Sequence, residues 1–239
     1  MIRGLLGKKI GMSRIFDKEG NIVPVSVIEA GPCSILGLIE GANGSTQKKV
    51  KLGFDPIKET RLKKPELGFL KKIGVTPIRY IREFESTDNK DYQVGQQVKA
   101  DIFRPGDFVD VIGISKGKGF QGGMRRWNWD GGPKTHGSMH HRRVGAISSN
   151  TTPGRTYRGK TMPGHMGDAR VTTQGLRVME IDIENNLVLI KGAVPGGKNA
   201  LLMINRSKKR AFQPLGEKIV SEAKKRNPMK QSKAKVKGK

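Results

Sequence analysis

The sequence predicts a mainly β fold, its strands closed into a barrel that is interrupted by a long basic loop. Three observations carry this reading. Short runs rich in Val, Ile and Leu recur along the chain with turn residues between them, a pattern of strands and not of long helices. One fifty-residue stretch, 116–165, holds ten Lys/Arg, one acid, eleven glycines and three prolines. Its only Val, Ile, Leu or Phe residues are Phe120, Val144 and Ile147, so it cannot bury enough apolar surface to fold alone. Strand-like runs lie on both sides of it. The body is therefore predicted to be discontinuous, residues 1–115 with 166–205, and to form one barrel. The loop 116–165 projects from this body, and a basic tail, 206–239, is expected to be flexible.

In chain order, residues 1–55 read as β. Ile22–Ile28 is β-branched, Ser34–Glu40 is a short apolar run, and Val50–Phe54 alternates with period two. Gly20-Asn21 and Asn43-Gly44 mark turns. Pro24 suggests an edge position or a bulge, because proline cannot donate to a strand ladder. Residues 57–74 read as a weak basic helix, and Ile78–Phe84 returns to strand. Phe108–Ile114 is a strand that feeds directly into the basic loop. Beyond the loop, Leu176–Ile183 and Leu187–Lys191 flank Glu184-Asn-Asn186 as a hairpin, and Leu201–Ile204 is a last strand.

Charge narrows the function. The 239 residues hold 46 Lys+Arg against 21 Asp+Glu, a net +25. The loop carries +9 and the tail +11, which leaves +5 for the other 155 residues. Two basic appendages on a near-neutral body predict a polyanionic partner. A membrane surface is disfavoured, since neither appendage has the amphipathic basic helix that such binding needs. No apolar run approaches the ~18 residues of a membrane span, and the N-terminus lacks the apolar core of a signal peptide. Cys33, the only cysteine, excludes an internal disulfide and fits a reducing compartment.

Within the loop, Lys116, Lys118, Arg125, Arg126, Lys134, Arg142, Arg143, Arg155, Arg158 and Lys160 are candidate phosphate contacts. Neighbouring glycines such as Gly117 and Gly119 let backbone amides approach the same phosphates. Trp127 and Trp129 have no apolar neighbours with which to build a core, so stacking on bases is expected, more for Trp127. His136, His140, His141 and His165 are candidates for hydrogen bonding to RNA. His136 and His140 have i, i+4 spacing, but Gly137 and Ser138 weaken a helix and no carboxylate or cysteine completes a metal site, so no metal is predicted. Gly154–Thr161 matches the phosphate-loop pattern G-x-x-x-x-G-K-S/T. It lacks the preceding apolar strand and the following helix, so nucleotide hydrolysis is not expected. A DNA-architectural protein with basic arms is the other alternative, and preference for structured RNA over duplex DNA would separate it.

The junction of strand and loop contains Phe103, Asp110, Gly113, Ser115, Gly117-Lys118-Gly119, Gly122 and Arg126. This resembles the signature of the bacterial ribosomal protein L-three family. Gly4–Phe16, Arg125-Arg-Trp-Asn128, Thr135-His-Gly137, Gly159-Lys160 with Met162, Gly164-His-Met-Gly167 and Lys191–Gly196 resemble the same family, over roughly residues 1–205. The resemblance implies a six-stranded translation-protein-type barrel, no enzymatic activity and no cofactor. It implies binding of 23S-type ribosomal RNA near its 3′ end in the cytoplasmic ribosome, a role in nucleating the subunit, and support of the peptidyl-transferase region. Its implied neighbours resemble ribosomal proteins L-fourteen and L-nineteen. Lys8 and Lys9, inside the N-terminal motif, join the RNA-binding set. Two places depart from the family. Val144 stands where the family often has proline, which frees φ there. Ser149 stands where one branch has a methylated glutamine, so that modification is not expected.

Overall fold

The computed structural model describes residues 2–17, 19–39, 48–86 and 92–215. The described strands are β1 (Gly4–Phe16), β2 (Ile22–Ala30), β3 (Cys33–Ile39), β4 (Lys48–Pro56), β5 (Ile78–Ser86), β6 (Gln97–Val98), β7 (Phe108–Ile114), β8 (Gly119–Gln121), β9 (Gly164–Met166), β10 (Arg170–Asp182), β11 (Leu187–Lys191) and β12 (Leu201–Arg206). Two α-helices accompany them among the described residues, α1 (Lys64–Ile73) and the short α2 (Gly123–Trp127). The fold is mainly β. Among the described residues no helix is long and apolar enough to cross a membrane.

Six strands pair antiparallel in a closed circuit, β1-β12-β7-β10-β11-β2 and back to β1. The strands before and after the basic loop therefore interleave: β7 lies between β12 and β10. Alternation sends Leu5, Ile28, Val109, Val111, Val178, Val188, Ile190, Leu202 and Ile204 inward, all of them buried in one core. The β10–β11 hairpin closes through the Asp182 carboxylate, which accepts from the backbone amides of Glu184 and Asn185, and through Asn186 at φ 53°.

The expectation of one barrel for the whole body is corrected. β3, β4, β5 and β6 form a separate sheet in the order β5-β4-β3-β6. The chain turns out of the barrel at Gly31, φ 87°, and the ladder bonds of β3 go to β4 and β6. Local alternation shows that a strand has an apolar face but not which strand supplies its ladder partner. One face of this sheet shares the barrel's core through Ile35, Leu52 and Phe84. The other lies under α1, where Leu36, Leu70 and Ile78 form a second cluster. α1 begins with the amide of Lys63 donating to Glu66 Oε2 at 3.4 Å. It ends at Gly74, φ 74°, where Val75 and Gly74 donate to the carbonyls of Leu70 and Lys71. Cys33 lies in the shared core, where burial pushes its thiol up to about 12.

Two smaller readings also change. Pro24 is neither on an edge strand nor at a bulge, since β2 pairs with both β1 and β11. It is tolerated because β11 pairing ends one residue away at Val25, and the Pro24 carbonyl accepts from Gly192. The segment 206–215, grouped with the tail by its charge, is held on the barrel. Arg206 ends β12, and Arg177 donates to the carbonyls of Gln213 and Pro214. The Arg210 guanidinium lies 5.3 Å from the centre of the Phe108 ring. Residues 216–239 and the Asn43-Gly44 turn lie outside the described residues.

Candidate nucleic-acid interface

The loop leaves the barrel from β7 and returns into β10, and its two arms stay paired on the way out. The Ser115 amide donates to the Ala169 carbonyl at 2.9 Å, the Asp168 amide to the Ser115 carbonyl, and the Lys118 amide to the Met166 carbonyl. β8 and β9 then form a short antiparallel ladder. Gly167, φ 79°, lets one arm press against the Lys116 carbonyl so closely that no Cβ fits between them. Periodicity gave no sign of this neck, because its strands are three residues long and glycine-containing.

Above the neck, α2 is stapled to the returning arm by three side chains. Arg126 Nη1 and Trp127 Nε1 both donate to the Met162 carbonyl at 2.8 Å, and Trp129 Nε1 donates to Thr161 Oγ1 at 3.3 Å. The Arg126 guanidinium also sits 5.1 Å from the Trp127 ring centre. Trp129 lies directly on Gly123, where any Cβ would collide with the indole, and Gly123 is buried. The tryptophans thus differ. Trp127 keeps 46% of its surface exposed, whereas Trp129 is half-buried and fixes the base of the loop. From the sequence alone both read as free aromatic planes, because only the fold brings Thr161, Met162 and Gly123 beside them.

Lys116, Lys118, Arg125, Lys134, Arg142, Arg143, Arg155, Arg158 and Lys160 are exposed, as are His136, His140, His141 and His165. Arg126 is half-buried. The ion pairs of the described residues join Arg3 and Lys208 to Glu85, Lys71 to Glu59, Arg79 to Asp55 and Arg206 to Asp107; none uses a loop cation. The histidines are not brought together on a helix. His136 has φ 59° and Gly137 φ 72°, while His141 Nδ1 is 3.0 Å from the Pro133 carbonyl. Among the described residues no group of three His, Cys, Asp or Glu is arranged to hold a metal ion. Neither a strand before Gly154 nor a helix after Lys160 accompanies the phosphate-loop pattern, and its Thr161 hydroxyl is taken by Trp129.

Lys9 is corrected. It is only 8% exposed, and its ammonium donates to the carbonyls of Val194 at 2.9 Å and Gly196 at 3.1 Å. It is a tether between β1 and the 192–200 turn, not an exposed cation. Burial and then the Lys116 charge lower its pKa. Lys8, its neighbour, is half-buried opposite Leu201 and Glu29. A Lys-Lys pair reads as surface charge, but alternation in a strand puts one of the two inside.

The family model described as Ribosomal protein L3 matches residues 73–184, which include the neck and the whole loop. A protein of Brachyspira hyodysenteriae described as large ribosomal subunit protein uL3 is 44% identical over 229 residues, 96% of this chain and 98% of its own length. One of the same description from Acetivibrio thermocellus is 49% identical over 207 residues, 85% of this chain and 96% of its own. A third, from Brachyspira pilosicoli, is 45% identical over 207 residues.

Proposed function

The chain belongs to the ribosomal protein L3 family, which is structural and not enzymatic, and we propose that it is a constituent of the large ribosomal subunit whose loop 116–165 binds 23S-type ribosomal RNA. The observation that carries this is the set of exposed loop cations, none of which pairs with an acid among the described residues. Cations left free on a glycine-rich arm suit phosphates, which Lys and Arg bind with release of counterions. The paired neck holds the arm out from the barrel, a geometry suited to entering folded RNA.

The finer reading follows from the family resemblance. The six-strand circuit is taken as a translation-protein-type barrel at the subunit surface. The loop reaches towards the peptidyl-transferase region, and binding near the 3′ end of the RNA helps nucleate assembly. Proteins resembling L-fourteen and L-nineteen are its neighbours. The test is sedimentation: the chain should remain with large subunits through a high-salt wash, and a variant lacking residues 117–166 should wash off. Recovery of the intact chain only in the free fraction would overturn the proposal.

A further inference from the structure

We propose that a cleft inside the loop, between Trp129 and Arg143, receives one unpaired nucleobase of the ribosomal RNA; this rests on the RNA-binding reading of the loop. The cleft encloses about 260 Å³ and is lined by Met124, Trp129, His140, Arg143 and three glycines. That volume falls below the ~300–1,000 Å³ of sites for drug-sized ligands and suits a single ring system. Indole, imidazole, guanidinium and thioether all pack well on a planar heterocycle.

The hydrogen-bonding state of the wall selects a base over a bare phosphate. Trp129 Nε1 is already spent on Thr161, so the indole offers ring carbons only. The amide of Gly132 is spent on the His141 carbonyl. Arg143 and the His140 imidazole are the open polar groups: both are exposed, and among the described residues neither side chain has an ion pair or hydrogen bond. A wall of indole and thioether beside a planar guanidinium and an imidazole matches a base, whose faces stack and whose edge carries donors and acceptors. Two of the glycines make the wall thin. A side chain at Gly131 would meet Met124 and the His141 carbonyl, and one at Gly132 the His140 carbonyl. Gly145 is different. Its φ is not left-handed, and the atom nearest to an added Cβ is His140 Nε2, 3.9 Å away. A side chain can therefore be built there, into the mouth of the cleft, without backbone strain.

The experiment uses large subunits assembled with the full chain, probed with a reagent that modifies exposed base edges. In subunits with the unaltered protein, one unpaired nucleotide beside the loop should be protected. Gly145→Leu should plug the cleft and raise the reactivity of that nucleotide about fivefold or more, the population change expected on losing one aromatic–base stack. Arg143→Ala should expose the same nucleotide and decides the matter if Gly145→Leu subunits do not assemble. Lys71→Ala, an exposed cation on α1 outside the loop, should leave it protected. Unchanged base reactivity in both cleft variants, with normal incorporation, would overturn the pocket. Absence of any loop-dependent footprint with the unaltered chain would instead overturn the RNA-binding reading itself.

Discussion

Replacing Lys9 by methionine keeps the length of the side chain and removes its charge. The ammonium now donates to two backbone carbonyls, at 2.9 and 3.1 Å, from a position 8% exposed. Hydrogen bonds from a charged donor contribute ~1.5–3 kcal/mol each net of water. The Val194 and Gly196 carbonyls would lose this partner, but a desolvated charge beside Lys116 would disappear too. The balance is a loss of about 2–4 kcal/mol, which for a chain of this size lowers the melting temperature by roughly 5–10 °C. The assay is calorimetry of the free protein. It carries a second, signed readout, because the Lys9 pKa lies below its ordinary 10.5 in the fold. Between the two values the unfolded chain binds more protons than the folded one, so stability from Lys9 rises with pH through that window. The gap between wild type and Lys9→Met should be smallest at neutral pH and widen in alkali towards 10.5. A variant melting within a degree of wild type, or a gap that narrows as pH rises, would refute the tether.

Three further outcomes are expected. Replacing residues 117–166 by a short Gly/Ser linker should leave a cooperative melt within a few degrees of the intact chain, because neither core cluster contains a residue of that span; loss of the transition would make the loop part of the core. Trp129→Ala should speed proteolysis of the loop more than Trp127→Ala, because Arg126 still holds the Met162 carbonyl when Trp127 is lost, and both changes should weaken RNA association by about 1–3 kcal/mol. Faster proteolysis of Trp127→Ala than of Trp129→Ala would contradict the Thr161 staple. Glu85 holds both Arg3 and Lys208, which lower its pKa, so its stabilisation is present above the ordinary carboxylate value and lost as pH falls through the lowered one. Glu85→Gln should cost about 1 kcal/mol at neutral pH, since both pairs are partly solvated, and nothing in strong acid; an undiminished cost there would contradict the assignment.

Legibility in the sequence followed the physics that each segment depends on. β2, β7 and β11 were readable from their β-branched residues and β12 from its apolar run Leu201–Ile204, signals that are local to each strand. β1 was visible only as part of a general β tendency. Gly4 and Gly7 lie where the backbone of β12 and β2 approaches closely, so the residues that make the packing possible dilute the apolar signal. The division into a barrel and a second sheet was hidden, since ladder partners are set by tertiary contacts. Among site residues, the exposed loop cations followed from composition. The burial of Lys9, the stapling of Trp129 to Thr161 and the docking of 206–215 did not, because each depends on a partner between 32 and 187 residues away.

The central claim is that the loop's cations meet RNA phosphates, and the salt dependence of binding to large-subunit RNA fragments tests it most directly. If about half of the ten loop cations make such contacts, the slope of log K against log salt should be steeper by roughly four for the intact chain than for the chain lacking 117–166. Equal slopes for the two chains would contradict the account.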